Sequence, residues 1–171
     1  MPSPIHYTLG TCSLGTLLVA RSEQGLCAVM LGDTPADVLA ELHASFPDDM
    51  LQEASEDGID LWARVRDHVE APLQAPRETW TLDLRGTPFQ QQVWAALRRI
   101  PAGQTVSYRR LAEMVDAPRA VRAVAGACAA NRLAVLVPCH RVRRQDGGLS
   151  GYRWGAARKQ ALLAREGISA A

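Results

Sequence analysis

The chain has 171 residues, enough for one large domain or two small ones with ample core. With 47% hydrophobic and 22% charged residues it has the balance of a soluble globular protein, and no stretch is apolar for long enough to cross a membrane. The net charge of +1 conceals a split: residues 1–85 hold 5 arginines against 14 acidic residues, a net −9, whereas residues 86–171 carry a net +10. The opening Met1-Pro2-Ser3-Pro4-Ile5-His6 has no basic region followed by an apolar run, so no secretory signal is visible. Cys12, Cys27, Cys128 and Cys139 are widely spaced and are expected as reduced thiols in a cytoplasmic protein.

Residues 5–31 read as β-structure. Thr16–Ala20 and Leu26–Leu31 flank the turn-like Ser22-Glu23-Gln24-Gly25, a hairpin signal. Asp33 and Thr34 are N-cap types before Pro35, and Val38, Leu39, Leu42 and Phe46 then recur at helical spacing. Ile59, Trp62, Val65 and Val69 repeat the pattern over residues 59–69. Residues 79–84 alternate polar and apolar and predict another strand. Cys12 and Cys27 with His6 or His43 show no compact ligand spacing, so no metal site is expected.

Gly86-Thr87-Pro88 marks a boundary, with an α/β unit over 1–85 and a basic, mainly helical unit over 86–171. Thr87 can cap a helix carrying Phe89, Val93, Ala96, Leu97 and Ile100. Ser107 suits the cap of a short helix over 108–115. After Asp116-Ala117-Pro118 a further helix is predicted over 118–130. Helix, short turn, helix in a basic context is a helix-turn-helix signal. At 100° per residue, Arg119, Arg122, Ala125, Gly126 and Ala129 share one face of the last helix. Ala120, Val124, Ala127 and Cys128 share the other and read as core. Two arginines on a smooth face of small residues suit a narrow groove of nucleic acid. The alternative is a solvated basic face without a partner.

Residues 133–137 read as a buried strand that Pro138 stops, delivering Cys139, His140 and Arg141 to one place. Cationic neighbours favour the thiolate, the nucleophilic form of cysteine; the plain alternative is a buried structural thiol. Gln145-Asp146-Gly147-Gly148 predicts a turn. Ser150–Gly155 is a glycine-rich loop whose aromatics Tyr152 and Trp154 could wall a pocket for a flat ring. A last helix is expected over 156–165, before Glu166-Gly167.

Pro138-Cys139-His140-Arg141-Val142 resembles the active-site pentapeptide of the O6-alkylguanine-DNA alkyltransferases, the methylated-DNA–protein-cysteine methyltransferases. Phe89–Trp94, Val106-Ser107-Tyr108 and Ala120–Val124 resemble that family too, and Leu149–Gly155 is most similar to its Ada-type members. The likeness is strong over residues 86–167 and looser over the hairpin at residues 5–31.

The resemblance implies an α/β (α+β) fold class, with a ribonuclease-H-like N-terminal domain and a winged-helix C-terminal domain. It implies single-turnover transfer of an alkyl group from O6-alkylguanine, and from O4-alkylthymine, to Cys139, which thereby becomes a co-substrate. No cofactor and no metal are implied. The partner would be double-stranded DNA holding the lesion, bound through its minor groove with the base flipped out. A cytoplasmic, nucleoid-associated monomer follows.

On the same resemblance His140 takes the thiol proton through a water, Glu166 orients His140, and Asn131 holds the turn. Tyr108 donates a proton or hydrogen bond to the leaving guanine. Ser107, Val142, Tyr152, Arg153 and Trp154 would bind the base, Trp154 narrowing the pocket. Arg122 would fill the gap in the stack, with Arg119, Ala123, Gly126 and Arg141 also on DNA. Two other classes stay open. A lesion-binding protein of this fold would lack the acceptor cysteine. A Cys-His hydrolase would need an oxyanion hole and turnover.

Overall fold

The computed structural model describes residues 4–146 and 151–168. It divides into two compact units: Met1–Leu84 with Arg132–Ala134, and Arg85–Asn131 with Val135–Ala171. The fold is mixed α/β, with a sheet in the first unit and mostly helices in the second. Among the described residues no helix is long and apolar enough to cross a membrane.

In the first unit, β1 (Ile5–Cys12), β2 (Gly15–Ser22) and β3 (Gly25–Gly32) form an antiparallel meander. The sheet order is β3-β2-β1-β4, with β4 (Leu51–Glu53) parallel to β1. The hairpin between β2 and β3 turns where the sequence predicts it. Strand β4 is too short and too exposed to leave a periodic signal. Residues Leu17–Ala20 and Leu26–Leu31 are all buried, so this sheet is covered on both faces. Ile5, Leu18, Ala20, Ala28 and Met30 meet Val38 and Leu42 of α1 (Pro35–Ser45), and Phe46 at its C-cap, on one face. Trp62 of α2 (Asp57–Glu70) lies on the other, donating its indole N–H to the Leu17 carbonyl at 2.9 Å. A side chain at Gly10 would collide with that indole. Each large aliphatic side chain buried here is worth about 1.5–3 kcal/mol.

Two predicted strands are not strands. In residues 79–84 only Leu82 bridges β3, through Leu26, and in residues 133–137 only Leu133 does so, through Val29. Leu26 donates to Thr81 and accepts from Asp83; Val29 donates to Arg132 and accepts from Ala134. Two chain segments thus share one edge of β3, three residues apart, and neither has room to extend. Val135 then takes a φ of 71°, which ends extended backbone at once for a β-branched residue. The buried run is a turn.

In the second unit, α3 (Pro88–Leu97) starts on a capping box in which Thr87 and Gln90 bond each other's backbone N–H groups. Helix α4 (Tyr108–Met114) is capped by Ser107, whose hydroxyl accepts from the Arg110 N–H at 2.9 Å. Helix α5 runs over Val121–Ala129 and packs on α3 and α4. It begins later than predicted because Ala120, with φ −98° and ψ 38°, is neither helical nor a capping side chain. Arg119 therefore precedes the helix and does not share its face. A 3₁₀ turn (Cys139–Arg141) leads into β6 (Val142–Arg143), which pairs in parallel with β5 (Val106–Ser107). Helix α6 (Ala156–Arg165) packs against the 3₁₀ turn. The turn predicted at residues 145–148 and the loop opening at Leu149-Ser150 fall partly outside the described residues.

Candidate active site

The second unit holds a cavity of about 480 Å³ lined by Tyr108, Ala125, Cys128, Ala129, Cys139, Gly151, Tyr152 and Arg153. Four elements converge on it. Helix α5 supplies Ala125, Cys128 and Ala129, small side chains that leave room. Tyr108 opens α4 directly after β5, and the ladder Val106↔Val142, Ser107↔Arg143 ties that start to the chain leaving the Cys139 turn. The loop before α6 supplies Gly151, Tyr152 and Arg153.

Cys139 is 4% exposed, on the first residue of the 3₁₀ turn. The Asn131 amide donates to the Val137 carbonyl at 2.8 Å and to Cys139 Sγ at 3.3 Å. One side chain thus holds the backbone of the turn and solvates the sulfur. Burial pushes the thiol up; the Asn131 hydrogen bond and the charges of Lys159 and Arg153 pull the other way. On balance the thiol stays above its ordinary value, and the donor and the two cations limit that rise.

Behind Cys139, His140 Nε2 lies 3.0 Å from Glu166 Oε2. Arg141 grips the same carboxylate with two bonds, Nε to Oε1 at 2.9 Å and Nη2 to Oε2 at 2.8 Å. Its Nη1 donates to the Ile100 carbonyl at 2.6 Å. Burial by itself would raise the Glu166 carboxyl, but hydrogen bonds and charge from His140 and Arg141 hold it at about 2. An ionised carboxylate only accepts, so His140 Nε2 carries the hydrogen. His140 is pushed below its ordinary value by burial, against the pull of Glu166, and stays neutral. Its Nδ1 is then an unprotonated acceptor, buried and without a hydrogen-bond partner among the described residues. The arrangement is an oriented base beside a thiol.

The structure therefore brings Cys139, His140, Glu166 and Asn131 into one connected group, with Tyr108, Tyr152 and Arg153 on the cavity wall. Arg141, placed on DNA by the sequence reading, instead has three guanidinium nitrogens committed to Glu166 and Ile100. An isolated residue name shows charge, not which carboxylate claims it. Arg153 reaches the segment just after α5, donating to the Asn131 carbonyl at 3.0 Å. Val142 is wholly buried and Ser107 is the α4 cap; neither lines the cavity. Trp154 is 4% exposed and meets Tyr152 edge-on at 5.4 Å, behind the lining. The Tyr152 hydroxyl is buried and held well above its ordinary range by desolvation. On α5, Arg122, Ala123 and Gly126 are exposed, and open space lies where a Gly126 Cβ would point.

Two residues were missed. Cys128 reads as core from the wheel but lines the cavity; burial pushes its thiol well up. Lys159 is fully buried near both thiols. Its signal in the sequence was its singularity, one lysine among eighteen arginines, seven residues before Glu166.

Residues 88–168 match the family model described as 6-O-methylguanine DNA methyltransferase, DNA binding domain, and residues 5–57 match the ribonuclease-like domain of the same family. The chain is 52% identical over 167 residues to the bifunctional transcriptional activator/DNA repair enzyme Ada of Escherichia coli, covering 95% of this chain and 45% of that protein. Ada of Salmonella typhimurium is likewise matched over 45% of its length, so the chain spans less than half of these two relatives. A methylated-DNA–protein-cysteine methyltransferase of Candida albicans is 35% identical over 97% of this chain and 98% of its own length. Among solved structures, Mycobacterium tuberculosis OGT in complex with DNA superposes with a TM-score of 0.78 at 32% identity, covering 97% of this chain and 96% of that one.

Proposed function

The chain belongs to the 6-O-methylguanine DNA methyltransferase family, and from that premise we propose that it repairs DNA by moving an alkyl group from O6-alkylguanine, and from O4-alkylthymine, onto Cys139. The observation that carries this reading is the buried group Asn131–Cys139–His140–Glu166 at the floor of a cavity large enough for a base. The OGT relative is a DNA complex, and the basic second half of this chain, at +10, suits the same partner.

The chemistry follows from the geometry. His140 Nδ1 accepts the Cys139 proton through one water, and Glu166 and Arg141 hold the imidazole in the tautomer that leaves Nδ1 free for it. Asn131 keeps the sulfur and the turn in place. The thiolate attacks the saturated carbon: an S–C bond forms, the C–O6 bond breaks, and the electron pair passes to the guanine ring. Tyr108 supplies a proton or hydrogen bond to the departing base, which leaves more readily as a neutral species. The product thioether is inert to water, so each chain acts once.

A base inside a duplex cannot reach a buried sulfur, so the lesion is extruded. Arg122 enters the gap from the minor groove, and the small exposed residues Ala123 and Gly126 let α5 approach. Arg119, exposed ahead of α5, contacts phosphate. Tyr152 and Arg153 meet the base directly. Trp154 packs behind Tyr152 and stiffens that wall, Ser107 fixes the start of α4, and Val142 offers backbone groups. We place the domain boundary at residues 85–86, and the site of action in the cytoplasm, on the nucleoid, as a monomer without metal or cofactor.

The test is incubation with duplex DNA carrying O6-methylguanine, then peptide mass analysis. One methyl on the Cys139 peptide supports the reading. Binding without modification points to a lesion sensor, and repeated turnover of an ester points to a hydrolase. Transfer that survives Cys139→Ala would overturn it.

A further inference from the structure

Lys159 is the sole lysine of the chain and, among the described residues, the largest fully buried side chain. It sits on the first turn of α6, and Glu166 follows seven residues later. Seven residues at 3.6 per turn return to the same helix face, about 10 Å along the axis. Leu162 and Leu163, both buried, lie between them on that face. Helix α6 packs on the Cys139–Arg141 turn. The helix that packs on the acceptor turn thus carries a buried cation near its start and a buried carboxylate at its end. Glu166 is engaged by His140 and Arg141. The charge of Lys159 acts on Cys139 and His140 of the turn, on Cys128 of α5, and on Arg143 of β6.

Two thiols therefore share one cavity and one buried cation. They differ at the sulfur: Asn131 donates to Cys139 and the charge of Arg153 also acts there, whereas among the described residues no side chain donates to Cys128. We propose that Lys159 is a positioning residue that selects the acceptor, its buried ammonium favouring the thiolate at Cys139 while Cys128 stays protonated beside it. In a water-poor site a cation stabilises a nearby anion far more than it would in water. The thiolate that forms where Asn131 helps then opposes ionisation of the second thiol by like charge. Arg143 works against the ammonium, and burial pushes Lys159 down, so its charge is held best when the anion is present.

This inference rests on Cys139 being the acceptor. Its test is thiol alkylation by iodoacetamide from pH 5 to 10 on the full chain, with each cysteine assigned by peptide mass. Lys159→Met keeps the length and removes the charge, an exchange that buried ions often tolerate. The Cys139 inflection should rise by about one pH unit, with about tenfold less Cys139 labelling at pH 7. Discrimination between Cys139 and Cys128 should fall by a similar factor, and Lys159→Arg should restore most of the shift. An unchanged inflection and ratio in a folded Lys159→Met would overturn the proposal. Should that variant fail to fold, the unmutated chain decides: the Nζ titration of Lys159, followed by NMR, should move down once Cys139 is an S-methyl thioether, and a Nζ titration that stays put refutes the idea. Failure of the unmutated protein to take methyl from O6-methylguanine would sink the repair reading instead, while leaving the thiol titration able to judge Lys159.

Discussion

Glu166→Gln isolates the charge that organises the site. The carboxylate accepts three hydrogen bonds, one from His140 and two from Arg141. A glutamine offers one acceptor oxygen and an NH₂ group, so one donor must face another donor. With Glu166 side chain 1% exposed and Arg141 13% exposed, water cannot repair the loss. Removing one partner of a buried pair costs about 3–5 kcal/mol, because the other charge is left uncompensated. The Glu166 carboxyl, held at about 2 against an ordinary 4.5, points the same way: the folded site favours the charge. Catalysis should suffer separately. Once the amide faces Nε2, the imidazole hydrogen moves to Nδ1 and His140 no longer accepts the thiol proton, a loss of about 10²–10⁴ in rate. Urea denaturation at pH 7 reads the first effect, and single-turnover transfer from an O6-methylguanine duplex under folding conditions reads the second. A variant within 1 kcal/mol and twofold of the parent would refute both the ion-pair accounting and the tautomer assignment.

Four further outcomes follow. Asn131→Ala strips the donor from Val137 and Cys139 Sγ; it should cost about 1–3 kcal/mol in denaturation and raise the pH at which Cys139 alkylates. Thr87→Ala removes the cap of α3 and should cost about 1 kcal/mol, with transfer unchanged per folded molecule. Arg122→Ala should slow transfer about 10–100-fold, since holding an extruded base costs a few kcal/mol, while moving the salt slope of duplex binding by no more than about 1. Stability should also fall in acid in two stages. His140 has a folded value below its unfolded one, so the unfolded chain binds its proton first and stability declines as pH drops below about 6.5. The depressed Glu166 adds a loss between about pH 5 and 2. Denaturation midpoints across pH 2–8 check both stages, and a flat profile from 7 to 5 contradicts the neutral assignment of His140.

The helices and the hairpin were legible because they rest on local signals. Thr87 with Gln90, Ser107, and Thr34 before Pro35 announce their caps within four residues. The failures share a cause. Residues 79–84 and 133–137 have strand composition, yet β3 offers each of them one residue of pairing. Edge availability is a property of the whole sheet and leaves no trace in either segment. The engagement of Arg141 was hidden for a similar reason, since its carboxylate partner lies 25 residues away at the C-cap of α6. The proposed acceptor stands out in Pro138-Cys139-His140, and Glu166 and Asn131 enter through family resemblance. Cys128 and Lys159 were not, because a helical wheel separates buried from exposed but does not tell core from cavity wall.

The central claim is that Cys139 is consumed in the reaction. Titrating the full chain with an excess of O6-methylguanine duplex and counting methyl groups by intact mass tests it most directly. The account predicts a plateau at one methyl per chain, located on the Cys139 peptide and absent from Cys139→Ala. Guanine regenerated beyond one equivalent, or a methyl found on Cys128, would contradict it.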